Sequence, residues 1–266
     1  MAVLPSARPL LLRSPPRRAA ARLALALLLS ARAAGAQPLP PLNLDGAATT
    51  VSGISSGAFF AVQVQFAHSA SLCGAGVVAG GPFRCAGAGG FVQYAACCEL
   101  PSLINVSALA EAAGADAAAG RIDALAGLRG HTVHLFSGTA DSLVSHGTML
   151  ALAQLYDALG VQTTRFFDLA AEHAWVTSRY GASCATLAAP FVNNCALDFA
   201  GGFLSAAAAA AGRPWNATPG EFQAASLRNF SQAAFGPVAA INMDELGFLY
   251  VPRPCAGGAR CTLHVK

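Results

Sequence analysis

Five consecutive residues, Gly53-Ile54-Ser55-Ser56-Gly57, constrain this chain more than any other stretch. Upstream, the β-branched run at residues 47–51 reads as a strand. Downstream, residues 58–68 read as a helix. A strand that becomes a helix within so few residues needs small neighbours around the central serine, which gives both glycines a reason. Such a turn lifts the Ser55 hydroxyl above the sheet edge. It also aims the backbone N–H of Ser56, at the positive end of the next helix, at the same point. Gly-x-Ser-x-Gly in this context reads as a serine nucleophile with one oxyanion donor beside it.

The remaining pattern supplies a fold around that turn. GAGVVA at 74–79 reads as a short buried strand, followed by a glycine-rich loop to Gly90. Residues 107–128 have helical spacing, TVHLFS at 132–137 is a second clear strand, and 144–159 is a helix. VQTTRFFDL at 161–169 is a strand and 196–211 an alanine-rich helix. Short strands at 248–251 and 262–265 flank a turn between Cys255 and Cys261. Alternating strands and helices without an internal repeat or a long polar linker predict one α/β domain with a mostly parallel sheet.

A serine on such a turn needs a histidine as base and an acid to orient it. In the α/β-hydrolase order, the acid follows a later strand and the histidine comes after that. Asp141 lies just past the strand 132–137, and His173 lies past the strand 161–169. The expected triad is therefore Ser55, Asp141 and His173. His131 and His134 precede the acid, and His146 shares its neighbouring helix. His68 ends the helix after Ser55, and His264 falls in the terminal strand. Asp168 and Glu172 are rival acids, but both stand too close to His173 in the chain to reach its far ring nitrogen. Ser55 would attack an ester carbonyl with His173 as base, and water would release the acyl-enzyme. This chemistry needs no metal and no organic cofactor. Phe59 and Trp175 each adjoin a triad residue and are candidates for a substrate cleft or for core packing.

Charge and cysteine usage point to export. The 266 residues carry 16 basic and 13 acidic side chains, a net charge of +3, yet residues 1–36 hold six arginines and no acid. A basic start, the apolar run 23–29 and Ala34-Gly35-Ala36 predict a secretory signal peptide over 1–36. Its removal leaves ten basic against 13 acidic residues, near −3. With 55% hydrophobic residues, the chain is not an intrinsically disordered one. Its charge shows no basic excess for nucleic acid, and no apolar run is long enough for a membrane span. The eight cysteines are even in number and lack C-x-x-C spacing. Short loops would close if Cys184 joined Cys195 and Cys255 joined Cys261. Adjacent Cys97 and Cys98 do not readily bond each other, so one is expected to take Cys85 and the other Cys73. Asn105, Asn216 and Asn229 begin N-glycosylation sequons, expected at the surface.

The order of elements is unusual for this fold, because only residues 37–54 precede Ser55 once the signal peptide is removed. The C-terminal stretches Gly247–Pro252 and Cys261–Val265 look like the missing early hairpin and central strand, which implies circular permutation. The stretches GISSGAFFAVQVQFAHS, GAGVVAGGPFRCA, SGTADSLV, EHAWVT, PFVNNCALDFAG and MDELGFLYVPRPCAGGARCTLHV, spanning roughly 50–265, resemble the secreted poly(3-hydroxybutyrate) depolymerases. That resemblance implies a circularly permuted α/β-hydrolase with Ser55 as nucleophile, Asp141 as acid, His173 as base and Ser56 as oxyanion donor. It implies disulfides Cys184–Cys195 and Cys255–Cys261, and a short-chain polyhydroxyalkanoate polyester or its oligomers as substrate. In that family the strand at 261–265 runs on into a His-Gly-Cys loop carrying a second oxyanion donor. The expectation is therefore a catalytic domain over 37–266 that is incomplete at its C-terminal end. The alternatives are a carboxylesterase for other small or plant-wall esters and an inactive secreted relative.

Overall fold

The computed structural model describes residues 39–87, 90–213, 221–241 and 243–266. The expected signal peptide and the Asn216 sequon lie outside the described residues. The chain divides into two compact units.

The larger unit holds residues 42–221 and 257–266. Its centre is a sheet of β1 (Leu44–Ile54), β2 (Gly74–Val78), β3 (Thr132–Phe136) and β4 (Thr163–Phe166), with β10 (Cys261–Val265) at the other edge. The order is β10-β1-β2-β3-β4, and every neighbouring pair is parallel. The last strand in sequence thus lies beside the first, as the permuted order required.

Alternation sorts the strand residues between two faces. Val51, Ala75, Val77, Val133 and Leu135 join one buried cluster with residues of α1 (Ser56–Ala67), α3 (Val106–Ala118) and α4 (His146–Ala158). The opposite face is covered by α5 (Phe199–Ala210), which contacts β1, β2 and β3. Because both faces are covered, β2 is buried along its whole length. Gly76 belongs to the α5 side, where an added Cβ would come within 3.0 Å of the Phe203 ring. Its missing side chain is what lets α5 pack this close.

Most expected elements appear with shorter ends. The helix expected over 107–128 stops at Ala118, because Gly120 adopts φ +66 and turns the chain, leaving a separate 3-10 turn at Leu125–Leu128. Helix α5 starts three residues later than expected, where the Asp198 carboxylate caps the Gly201 N–H at 2.9 Å. No sequence signal announced α2 (Gly90–Glu99). Nor did the sequence show the three-stranded sheet of β5 (Trp175–Thr177), β6 (Ala182–Ser183) and β7 (Val192–Asn194), ordered β5-β7-β6. Strands of two or three residues are too short for a period to register.

The smaller unit contains residues 39–41 and 222–256. It is built on the antiparallel pair β8 (Leu227–Ser231) and β9 (Leu246–Tyr250), followed by the short α6 (Arg253–Ala256). Phe222 stacks on Tyr250 at 5.5 Å, and the Phe230 ring lies over Gly247. Among the described residues no helix is long and apolar enough to cross a membrane.

Candidate active site

The strands β1 to β4 end level with one another. Backbone bonds extend the pairing past each strand end, from Ser55 N–H to Val78 O (3.0 Å), Ala79 N–H to Phe136 O (3.0 Å) and Ser137 N–H to Phe166 O (3.1 Å). Ser55, Asp141 and His173 all follow these C-terminal ends. In an open parallel sheet that is the edge where loops are free to carry chemistry.

Ser55 takes φ 56 and ψ −128 at the N-cap of α1. A serine with positive φ is held there only by its surroundings. Here the Ser55 carbonyl accepts bonds from Ala58 N–H (2.8 Å) and Phe59 N–H (3.0 Å), while its own N–H is tied to β2. A Cβ on Gly53 would lie 2.2 Å from the Gly57 backbone, so this glycine is a steric necessity. Gly57 is different, because a Cβ there meets nothing within 4 Å. The expectation that the turn demands both glycines is corrected to one. Ser56 is exposed at the first helical position, where its N–H has no intrahelical acceptor.

Asp141 and His173 form a close pair. His173 Nδ1 lies 2.9 Å from Asp141 Oδ2 and 3.1 Å from Oδ1, and the two side chains are only 5% and 2% exposed. Asp141 Oδ1 also accepts the N–H groups of Leu143 (2.9 Å) and Val144 (2.8 Å). These bonds fix the carboxylate and put the imidazole proton on Nδ1, so the Nε2 lone pair is the one left for proton transfer. Among the described residues no hydrogen bond joins Ser55 to His173. Such contacts commonly tighten only when substrate is bound. The loops carrying the pair are pressed together: a Cβ on Gly138 would meet the Ala171 carbonyl at 2.0 Å.

The small sheet holds the histidine from both sides. Glu172 N–H donates to Cys184 O at 2.9 Å, and Trp175 N–H donates to Phe191 O at 2.8 Å. The disulfide Cys184–Cys195 joins the segments bearing these acceptors, and buried Asn193 donates to the carbonyls of Cys184 and Thr186. The Phe191 ring stands edge-on to His173 at 6.3 Å, on a residue with φ 57. Neither Asn193 nor Phe191 carried a signal in the sequence, because their roles depend on a pairing of very short strands.

Several expectations need adjustment. Phe59 and Trp175 are 9% and 8% exposed and belong to a buried cluster with Phe136 and Phe199. They pack as core residues, the second of the two readings that the sequence left open. Cys85 bonds Cys97, and Cys255 and Cys261 are each disulfide-bonded. Cys73 and Cys98 remain thiols, against the expected pairing. Cys73 precedes β2, whereas α2 follows its far end, about 16 Å away at 3.3 Å per residue, beyond disulfide reach. Adjacent residues on a helix also point in different directions, so when Cys97 faces Cys85 its neighbour cannot. Burial pushes both thiols up. Asn105 is exposed and caps α3 by accepting from Ala108 N–H at 3.0 Å, and Asn229 is half-buried on β8. Among the described residues no group of three or more His, Cys, Asp or Glu side chains is placed to hold a metal ion. A polar cavity of about 470 Å³ is lined by Asp141, Glu99, Thr139, Ser142 and His146 among others, but it does not include Ser55.

No protein-family model matches the chain. It is 41% identical over 254 residues to the poly(3-hydroxybutyrate) depolymerase of Delftia acidovorans, covering 94% of this chain and 50% of that protein. It is 31% identical over 259 residues to the polyhydroxybutyrate depolymerase of Talaromyces funiculosus, covering 92% of this chain and 71% of that one. The chain thus spans half the length of the first relative. Among solved structures, a PHB depolymerase carrying a serine-to-alanine substitution, in complex with an R3HB trimer, matches with a TM-score of 0.73 at 28% identity. The PHB depolymerase from Penicillium funiculosum matches with a TM-score of 0.70 at 29% identity. Each match covers 86% of this chain and 70% of the other.

Proposed function

Because the chain belongs to the poly(3-hydroxybutyrate) depolymerase family, we propose that it is a secreted serine esterase that hydrolyses short-chain polyhydroxyalkanoate polyester or its oligomers. The observation that carries this reading is the buried His173–Asp141 pair at the same sheet edge as the strained Ser55 turn. The neighbour's R3HB trimer favours a polyester over other small or plant-wall esters.

In this reading His173 Nε2 takes the Ser55 proton as Oγ attacks the ester carbonyl. Asp141 stabilises the imidazolium, and the Ser56 N–H receives the developing oxyanion at the start of α1. The alcohol end of the polymer leaves with the proton from His173. Water, activated by the same nitrogen, then frees Ser55 and releases a hydroxy acid. Export through a signal peptide over 1–36 fits the disulfides Cys85–Cys97 and Cys184–Cys195, which persist in oxidising compartments. Glycosylation at Asn105, Asn216 and Asn229 is part of the same proposal.

The deciding experiment is labelling with a serine-reactive fluorophosphonate, with hydrolysis of a soluble 3-hydroxybutyrate oligomer measured alongside. Wild type is expected to label and turn over, and Ser55→Ala to do neither. Folded wild-type protein that neither labels nor turns over would identify an inactive relative. Labelling and turnover by Ser55→Ala would exclude Ser55 as the nucleophile.

A further inference from the structure

One carboxylate oxygen touches both loops of the proposed acid–base pair. Glu172 Oε2 accepts the N–H of His173 at 2.8 Å and the N–H of Ser142, on the Asp141 loop, at 3.3 Å. The second contact spans 30 residues of sequence. The next two amides, of Leu143 and Val144, point at Asp141 Oδ1. Three successive N–H groups just before α4 thus form a concave anion site shared by two carboxylates, and the positive end of that helix adds to it.

This arrangement explains how two carboxylates stand close together beside one histidine. Burial pushes the Glu172 carboxyl up, but the bonds from His173 and Ser142 outweigh it and hold the group below the ordinary carboxylate range, even against the Asp141 charge. Glu172 is therefore ionised, with one oxygen directed at two backbone amides. Its oxygen sets the spacing between the backbone of His173 and the residue that follows Asp141.

We propose that Glu172 is a positioning residue, which clamps the His173 loop to the Asp141 loop through two backbone N–H groups. The proposal rests on the triad reading above, and it assigns Glu172 no contact with substrate. A glutamine can keep both contacts through its amide oxygen, because the side chain is half-exposed and its NH2 can face water. An alanine cannot.

The test compares full-length Glu172→Ala and Glu172→Gln for kcat and KM on a soluble 3-hydroxybutyrate oligomer. Hydrogen exchange at the Ser142 and His173 amides is measured on the same proteins. Alanine is expected to lower kcat about 10- to 100-fold with KM changed less than about twofold, the effect of a misplaced base rather than of lost binding. It should also speed exchange at both amides at least tenfold, while glutamine stays within about threefold of wild type in both readouts. The proposal is overturned if alanine keeps kcat and amide protection, or if glutamine falls as far as alanine. A wild-type protein that takes no fluorophosphonate would sink the triad reading instead, and the amide exchange would still decide the clamp.

Discussion

His173 and His264 lie in the same unit and are both drawn away from water, yet their surroundings give them opposite chemistry. His264, on β10, is bonded at both ring nitrogens, Nδ1 to Thr50 Oγ1 and Nε2 to Ser52 Oγ, each at 2.9 Å. Its partners are neutral. Burial, with a smaller push from the Lys266 charge, lowers it to about 4. It is locked neutral and has no nitrogen to spare. His173 uses only Nδ1, and its partner is a carboxylate able to balance an imidazolium. Hydroxyl partners at both nitrogens make a half-buried histidine a structural fastener. A carboxylate at one nitrogen, with the other open, is the arrangement the proposed base requires.

The largest test of this contrast makes His173 resemble His264. Asp141→Asn removes the counter-charge and favours the wrong tautomer, so kcat is expected to fall about 10⁴-fold with little change in KM. Steady-state kinetics on an oligomer measures it, and a fall under tenfold would undo the comparison. Next in size is the acid response of His264. Between its ordinary value near 6.5 and the folded value near 4, the unfolded chain takes up a proton that the folded chain refuses. The contribution of His264 is therefore full above pH 6.5, falls as pH drops toward 4, and levels off below. The loss is at most about 3 kcal/mol. Burial lowers His131 and His134 too, in the same direction. Denaturant titrations at several pH values should show this slope, and His264→Gln should flatten it.

Two smaller effects sharpen the picture of what holds His173. Replacing Cys184 and Cys195 together by serine releases a short closed loop and is expected to cost about 2 kcal/mol. Because Cys184 O holds the Glu172 N–H, kcat should fall as well. The corresponding change at Cys85 and Cys97 should lower the melting temperature and spare kcat. Smallest is Gly57→Ala, which adds a Cβ in open space at a helical position and should stabilise the fold by about 0.5 kcal/mol. Gly53→Ala, which drives a Cβ into the Gly57 backbone, should fail to fold.

How much was legible follows from how local each interaction is. The strand–turn–helix around Ser55 is written in a dozen contiguous residues, and the structure keeps it. The order of acid and histidine follows from a fixed succession of strands, so Asp141 and His173, 32 residues apart, could be paired before any contact was known. The choice between Cys97 and Cys98 was not legible, because it depends on the facing of α2. Nor was the burial of Phe59 and Trp175, because both an open cleft and a covered core ask for aromatic residues.

By itself, then, the sequence determined a parallel α/β sheet entered through a serine turn, with the last strand returned beside the first. Periodicity, glycine sterics and strand order act along the chain, and a reader of the chain can follow them. Only the tertiary structure decided what the second carboxylate does, by turning Glu172 onto the backbone amides of both loops. Asp141 and Glu172 are the same chemical group in similar sequence surroundings. Their roles separate once three amides before α4 and the bond from His173 Nδ1 fix the direction of each, and those directions exist only when loops distant in sequence are brought to one sheet edge.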